Sequence, residues 1–265
     1  MKFSSGFVKS LALYGYQAAL ANGKLQARTN TAPAAGPDAA ATGTLLAEYT
    51  NAGGAWTGEV RPIWKITLGG ASGSVNTIKI GLIPVLPAAV NFTTDLATTA
   101  ALCAANINAA RSMPDFEATS LSDVLYIIGP ISAGTAYNAA VCTTTVTTMT
   151  ATVAGDGTPS GSGGTAGAAA VNGLNWLYPP VAGVLSKEAA VWEDLTPAAT
   201  GTIGHFRLIL DAADDGSLST VFRRVDFTIG TSGADVTGVN LGVTADIPSY
   251  INTFPFTIPA AGTPT

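Results

Sequence analysis

The sequence predicts a mainly β protein: an antiparallel β-sandwich or jelly-roll-like domain with a short N-terminal helix, accompanied by a small α/β module. Three observations carry this expectation. After residue 173, short apolar runs alternate with turn residues roughly every 8 to 12 positions, the spacing of sandwiches and barrels. Residues 75–83 alternate as a half-buried strand does, with Asn76, Ile78, Ile80 and Leu82 opposite Val75, Thr77, Lys79 and Gly81. Helical periodicity is confined to two stretches. No repeat with a fixed period of about 20–50 residues is present, which excludes a solenoid.

The first element is a helix over residues 4–21. Ser4 or Ser5 can cap it, and Phe7, Leu11, Tyr14 and Ala18 recur at intervals of four and three. Asn22-Gly23 stops it. A strand follows at 24–29, a loop at 30–43, a strand at 43–50 and a turn at 51–54. The character changes near Arg61. Strands at 64–68 and 75–83 precede a helix capped by Thr94 or Asp95, with Leu96, Ala100, Cys103 and Ile107 along one face. Ser112 and Pro114 end it. Strands at 116–119, 124–128 and 141–153 complete a β-β-α-β-β-β unit over residues 66–154. Residues 155–167 have the Gly/Ser composition of a linker. Beyond it, strands are expected at 174–178, 189–192, 204–211, 222–229, 238–243 and 251–258, and Asp214-Asp215-Gly216 supports a tight turn between two of them.

Hydrophobic residues make up 47% of the 265 and charged residues only 11%, against about 25% charged in an average soluble domain. So little charge leaves a lone monomer adhesive, because interspersed charge is what keeps proteins apart. Either other subunits cover much of the surface, or the chain is a rigid β protein coated in Thr and Ser. The net charge is −5 and Lys and Arg are scattered, which argues against nucleic acid as the main partner. No stretch reaches the ~18 uninterrupted apolar residues of a membrane-spanning helix, so no membrane partner is expected. Lys2 and Lys9 precede a mildly apolar stretch, and Ala19-Leu20-Ala21 fits a secretory cleavage pattern. Tyr14, Gly15, Tyr16 and Gln17 interrupt that stretch, so a retained, structured N-terminus is the expectation. Cys103 and Cys142 form neither a CxxC pair nor a metal-ligand spacing and read as two buried, reduced thiols.

The chemistry-bearing residues point away from catalysis. His205, the single histidine, sits in the strand-like TIGHFRLIL, with no nucleophile elbow to serve it, and is expected to be structural or at an interface. The stretch GSGGTAG lacks the Gly-Lys-Ser/Thr of a phosphate loop. Asp211, Asp214 and Asp215 are the best candidate metal cluster, but their spacing departs from a calcium loop and a solvated turn is the expectation. Glu188, Glu193 and Asp194 suggest a glycosidase pair only if held across a cleft, and an exposed polar edge is expected instead. Arg207, Arg223 and Arg224 are the most concentrated basic charge. Arg223 and Arg224 point to opposite faces of a strand, where one can pair with an acidic neighbour. Trp56, Trp64, Trp176 and Trp192 fit core or interface positions, and no spacing supports a glycan platform. The expected cofactor, metal and catalytic residues are therefore none.

Two stretches carry a resemblance. The start, KFSSGFVKSLALYGYQAALANGKLQA with the later DAAATGTLLAEYT, and the end, VAGVLSKEAAVWEDLTPAATGTIGHFRLI with VDFTIGTSGADV and FTIP, are similar to a family of small structural proteins of tailed-bacteriophage virions. Residues 69–120, including GGASGSVNTIKIGLIPVLPAAVNFTTDLATTAALCAANINA, look like a β-α-β insert of virion and tail proteins. The resemblance implies a discontinuous β-sandwich-like domain, 1–65 plus 168–265, with the module at 66–154 inserted in it. It implies a non-enzymatic virion component, made in the bacterial cytoplasm. Its expected partners are copies of itself and other capsid, collar or tail proteins. A host-recognition or glycan-binding module on a fibre or capsid surface is the alternative. The resemblance supplies no active site.

Overall fold

The chain is mainly β. The computed structural model describes residues 1–110, 114–131, 133–161, 163–220, 222–230, 234–237 and 241–257. The elements begin with β1 (Lys2–Phe3), α1 (Ser5–Leu20), β2 (Lys24–Arg28) and β3 (Leu45–Asn51). Next come β4 (Ile63–Gly69), β5 (Ser74–Ile80), β6 (Ile83–Pro84), β7 (Val90–Asn91) and α2 (Leu96–Ala109). They are followed by β8 (Glu117–Leu121), β9 (Val124–Ile128), β10 (Cys142–Thr147) and β11 (Thr150–Val153). The last are β12 (Val184–Leu185), β13 (Trp192–Asp194), β14 (Gly201–Thr202), β15 (His205–Ile209), β16 (Arg224–Gly230), β17 (Val236–Thr237), β18 (Gly242–Val243), β19 (Ser249–Ile251) and β20 (Phe256–Thr257). Two compact units result: Met1–Gly58 with Ala170–Thr265, and Glu59–Ala169.

The first unit is built on one sheet of order β1-β16-β15-β2-β3-β13-β19, with β17 beside β16. Its pairings are antiparallel except β16 with β17. Directly opposed residues share a face, so the register sorts the sheet into two unlike sides. Leu25, Ala27, Tyr49, Phe206, Leu208, Val225, Phe227 and Trp192 lie on one side and are buried. Against them pack Phe7 and Leu20 of α1, Leu185 of the β12–β20 ribbon, Val243 of the β14–β18 ribbon, and Phe254. The other side carries Gln26, Arg28, Glu48, His205, Arg207, Arg224 and Asp226.

Helix α1 starts where expected. The Ser4 hydroxyl accepts from the Phe7 N–H and donates to the Phe222 carbonyl. Ala18, which the periodicity places on the buried stripe, is only partly buried, and the side chain of Tyr14 lies outside the described residues. Gly15 adopts φ 72 and kinks the helix, a conformation glycine reaches at little steric cost. The phase resets, and Tyr16, Ala19 and Leu20 meet the core instead.

The second unit holds two four-stranded sheets, β10-β5-β6 with β7 beside β5, and β11-β4-β9-β8. The stretch 141–153, expected as one strand, is two. It breaks at Thr148 (φ 63), and β10 pairs with β5 while β11 pairs with β4. The β4–β5 and β10–β11 connections lie side by side and carry both strands from one sheet to the other, the way sandwich corners are turned. Gly73 (φ 113) is required there, because a Cβ would strike the Thr147 carbonyl. Helix α2 is capped by the Asp95 carboxylate, which accepts from the Thr98 N–H at 2.6 Å. It buries Thr99, Ala100, Cys103, Ala104 and Ile107, whereas Leu96 is only partly buried. Its expected end at Ser112 lies outside the described residues.

Residues 155–167 are not a free linker. The Cys142 N–H donates to the Gly157 carbonyl at 2.7 Å, Thr165 bridges Ile63, and the Gly167 N–H donates to Asn138 Oδ1 at 2.7 Å. A Gly/Ser run looks like a tether by composition, yet its bare backbone suits close pairing with neighbouring chain. The expected strand at 174–178 is also absent as a ladder, and isolated bridges from Leu174 and Trp176 replace it.

Candidate functional site

The polar side of the eight-stranded sheet carries His205, Arg207 and Arg224 of the residues the sequence singled out. Arg207 and Asp226 face each other across β15 and β16 in a two-pronged ion pair, Nε to Oδ1 at 2.7 Å and Nη2 to Oδ2 at 2.8 Å. Both side chains are buried. Arg207 Nη1 also donates to the Ala39 carbonyl. Arg224 pairs in the same forked way with Asp214, donates to the Pro37 carbonyl, and is equally buried. Arg223 binds Asp211 through Nε at 2.9 Å and donates to the Leu210 carbonyl. The loop 30–43 thus supplies backbone acceptors to charges standing on the sheet.

This arrangement corrects the reading of the acidic cluster. Residues 210–223 form a long loop rather than a tight turn, and Asp214 is buried rather than solvated. Asp211 and Asp214 are each committed to an arginine. Asp215 closes a local turn, accepting from Ser217, and those hydrogen bonds hold its carboxyl below the ordinary range. Among the described residues no three of His, Cys, Asp and Glu gather as metal ligands.

His205 is fully buried on the same side. Its Nδ1 lies 2.9 Å from the Asn30 carbonyl, and Nε2 has no partner. Nδ1–H therefore donates to that carbonyl and the ring is neutral. Burial pushes its pKa down, against smaller upward pulls from the Asn30 carbonyl and Asp226. The sign for stability follows. Above the ordinary histidine pKa of about 6.5 both folded and unfolded chains hold a neutral ring. Below it the unfolded chain takes a proton that the folded one refuses, so stability falls with pH, by at most ~1.4 kcal/mol per pH unit for this group. Urea midpoints at pH 7.5 and 5.5 should separate more for the wild type than for His205→Gln. Equal separations would remove His205 from the acid response.

Glu193 and Asp194 are not on an edge, whereas Glu188 lies outside any strand and is exposed. Strand β13 is paired on both sides, by β3 and β19. Asp194 accepts from the Glu48 and Thr196 N–H groups at 2.7 and 3.0 Å, a structural duty. The tryptophans are spent inside the units. Trp64 and Trp192 are buried, Trp56 donates to the Asn22 carbonyl, Trp64 to Ala140 and Trp176 to Leu20. Both cysteines are free, and burial raises their thiols to about 11 for Cys103 and about 12 for Cys142. Such thiols stay protonated and poorly nucleophilic.

Reasoning from residue types missed a cleft in the first unit. A cleft of about 710 Å³ is lined by residues 247–254 together with Tyr49, Ile203, Phe206, Ile229, Val236, Leu241, Gly242 and Thr244. Among the described residues no charged side chain lines it. Its walls come from β3, β15, β16, β17, β18 and β19, so no sequence-local signal marks it.

No protein-family model, curated protein or solved structure matches this chain. Geometry and chemistry must therefore carry the functional reading. The described candidates are ion-paired, capped or packed, and none is aimed into the cleft. Several large apolar side chains face outward: Leu82 at 97% exposure and Leu121 at 70% in the second unit, Val181 at 79% and Leu218 at 76% in the first.

Proposed function

We propose that this chain is a non-enzymatic structural component of a tailed-phage virion, assembling through symmetric contacts with copies of itself and with capsid, collar or tail neighbours. The observation that carries the reading is the set of large apolar side chains left outward on both units, in a chain only 11% charged. Part of that sparse charge is withdrawn inside, since three of the twelve Lys and Arg residues form the Arg207, Arg223 and Arg224 pairs. With so little charge to keep copies apart, such side chains are the surface that association would cover. The resemblance of the two chain ends to virion structural proteins supports the same reading.

Electron microscopy of purified virions tests it. Each copy is expected on the particle, burying at least about 1,200–2,000 Å² against other subunits. A distal position with small, wet contacts would instead favour the host-recognition or glycan-binding module.

A further inference from the structure

The cleft of the first unit follows the edge of a strand. Successive residues of a strand point to opposite faces, yet the cleft is lined by every residue from Ile247 to Phe254. All three residues of β19, Ser249, Tyr250 and Ile251, are among them, so the cleft runs alongside that strand and the residues flanking it. Strand β19 ends the sheet, with β13 on one side and, among the described residues, no strand on the other. Natural edge strands are blunted by charge, by proline within the strand, or by a covering element. Ser249, Tyr250 and Ile251 supply no charge and no proline, and beside them lies open space.

The occupant's chemistry follows from the walls. Tyr49, Phe206 and Phe254 give an apolar floor, and Ser249, Tyr250, Asn252 and Thr253 give neutral polar groups. A charged guest would be desolvated there with no counter-charge, so the guest is an uncharged length of polypeptide.

The same unit carries a segment of that description. Residues 176–187 form a hairpin, with bridges Trp176 to Lys187 and Val181 to Val184. Ala182 (φ 50) and Gly183 (φ 78) make its two-residue turn, as tight hairpins of this hand require. The tip, Leu-Tyr-Pro-Pro-Val-Ala-Gly-Val, has no charge. It leaves Leu177 53%, Tyr178 56% and Val181 79% exposed. The returning arm is covered, because β12 pairs with β20, while among the described residues no further strand flanks the outgoing arm 177–181.

We propose that copies of this chain join by seating the apolar hairpin tip of one copy, residues 177–184, in the cleft along β19 of another. The match is between uncharged surfaces, exposed apolar side chains on the hairpin and an aromatic floor in the cleft. Pro179 and Pro180 carry no N–H, so the contact is mainly side chains on the aromatic floor with few ladder bonds. The two surfaces differ, so a reciprocal exchange closes a twofold dimer and a one-way contact builds a ring or filament. The proposal rests on the assembly reading and specifies its contact.

The test is a complementation by light scattering with the full chain. Val181→Lys spoils the hairpin tip and leaves the cleft intact. Tyr250→Lys spoils the cleft and leaves the hairpin intact. Both positions are exposed, and circular dichroism verifies that each variant folds. The wild type is expected to self-associate. Each variant alone should be monomeric, its self-association weakened at least tenfold. An equimolar mixture of the two should form a one-to-one complex, because one good hairpin then meets one good cleft. A variant that associates like the wild type, or a mixture that stays monomeric, overturns the proposal. A monomeric wild type also overturns it, while leaving the virion reading to be decided by where microscopy finds the chain.

Discussion

Replacing Asp214 with alanine is expected to destabilise the first unit by roughly 3–5 kcal/mol, the usual cost of breaking a buried ion pair from one side. The size of the effect comes from what is left behind. Arg224 is fully buried on a central strand, its guanidinium is held by both carboxylate oxygens of Asp214, and its remaining side-chain hydrogen bond is to the Pro37 carbonyl. Without Asp214 a full positive charge stays in the interior with one neutral acceptor. The pair itself need not be strongly stabilising, since desolvating two charges offsets most of their attraction. A double replacement, Asp214→Leu with Arg224→Met, should therefore be far milder than Asp214→Ala alone. Urea denaturation of the three proteins checks this, and a cost below ~1 kcal/mol for Asp214→Ala would show that water reaches the arginine. Asp226→Ala should behave similarly through Arg207.

That pair also marks how far the sequence could be read. Strand periodicity located β2, β3, β4, β9, β15 and β16 to within a residue or two, because alternation of burial is a local property. Ser4 and Asp95 were legible as helix caps for the same reason. Arg223 and Arg224 were legible as residues on opposite faces with room for an acidic partner. Their partners were not. Asp211 and Asp214 lie 12 and 10 positions away across a loop whose path depends on the sheet beneath it. The acidic run was therefore read as a turn, and Asp214 turned out to be buried. Residues 155–167 failed in the opposite direction. Composition describes what a segment can do when free, and here the Ile63, Asn138 and Cys142 backbone and side-chain groups capture it. The cleft was invisible for a third reason, since its floor joins Tyr49, Phe206 and Phe254 from distant positions.

Phe254 gives the second large effect. Phe254→Ala is expected to cost roughly 3–5 kcal/mol, as truncating a buried aromatic does when its neighbours cannot collapse into the space. Its ring is 1% exposed and sits 5.2 Å from Phe227, 5.4 Å from Phe206 and 5.8 Å from both Trp176 and Trp192. Edge-on packing dominates these contacts, the geometry in which aromatic pairs add ~0.5–1.5 kcal/mol each beyond area. Relaxation is hindered because Phe206 and Phe227 are directly paired on neighbouring strands. Phe254→Leu keeps most of the volume and should recover well over half of the loss. Tryptophan fluorescence follows the change from inside, since Trp176 and Trp192 stand 4.9 Å apart against the missing ring. The residue also lines the cleft, so Phe254→Ala enlarges the cavity beside β19 while removing part of the floor on which a partner's hairpin would rest. Stability and self-association should fall together at this position. At Tyr250, which is exposed in the isolated chain, only self-association should fall. A Phe254→Ala protein with an unchanged unfolding midpoint would mean that the aromatic cluster is not the centre of the first unit's core.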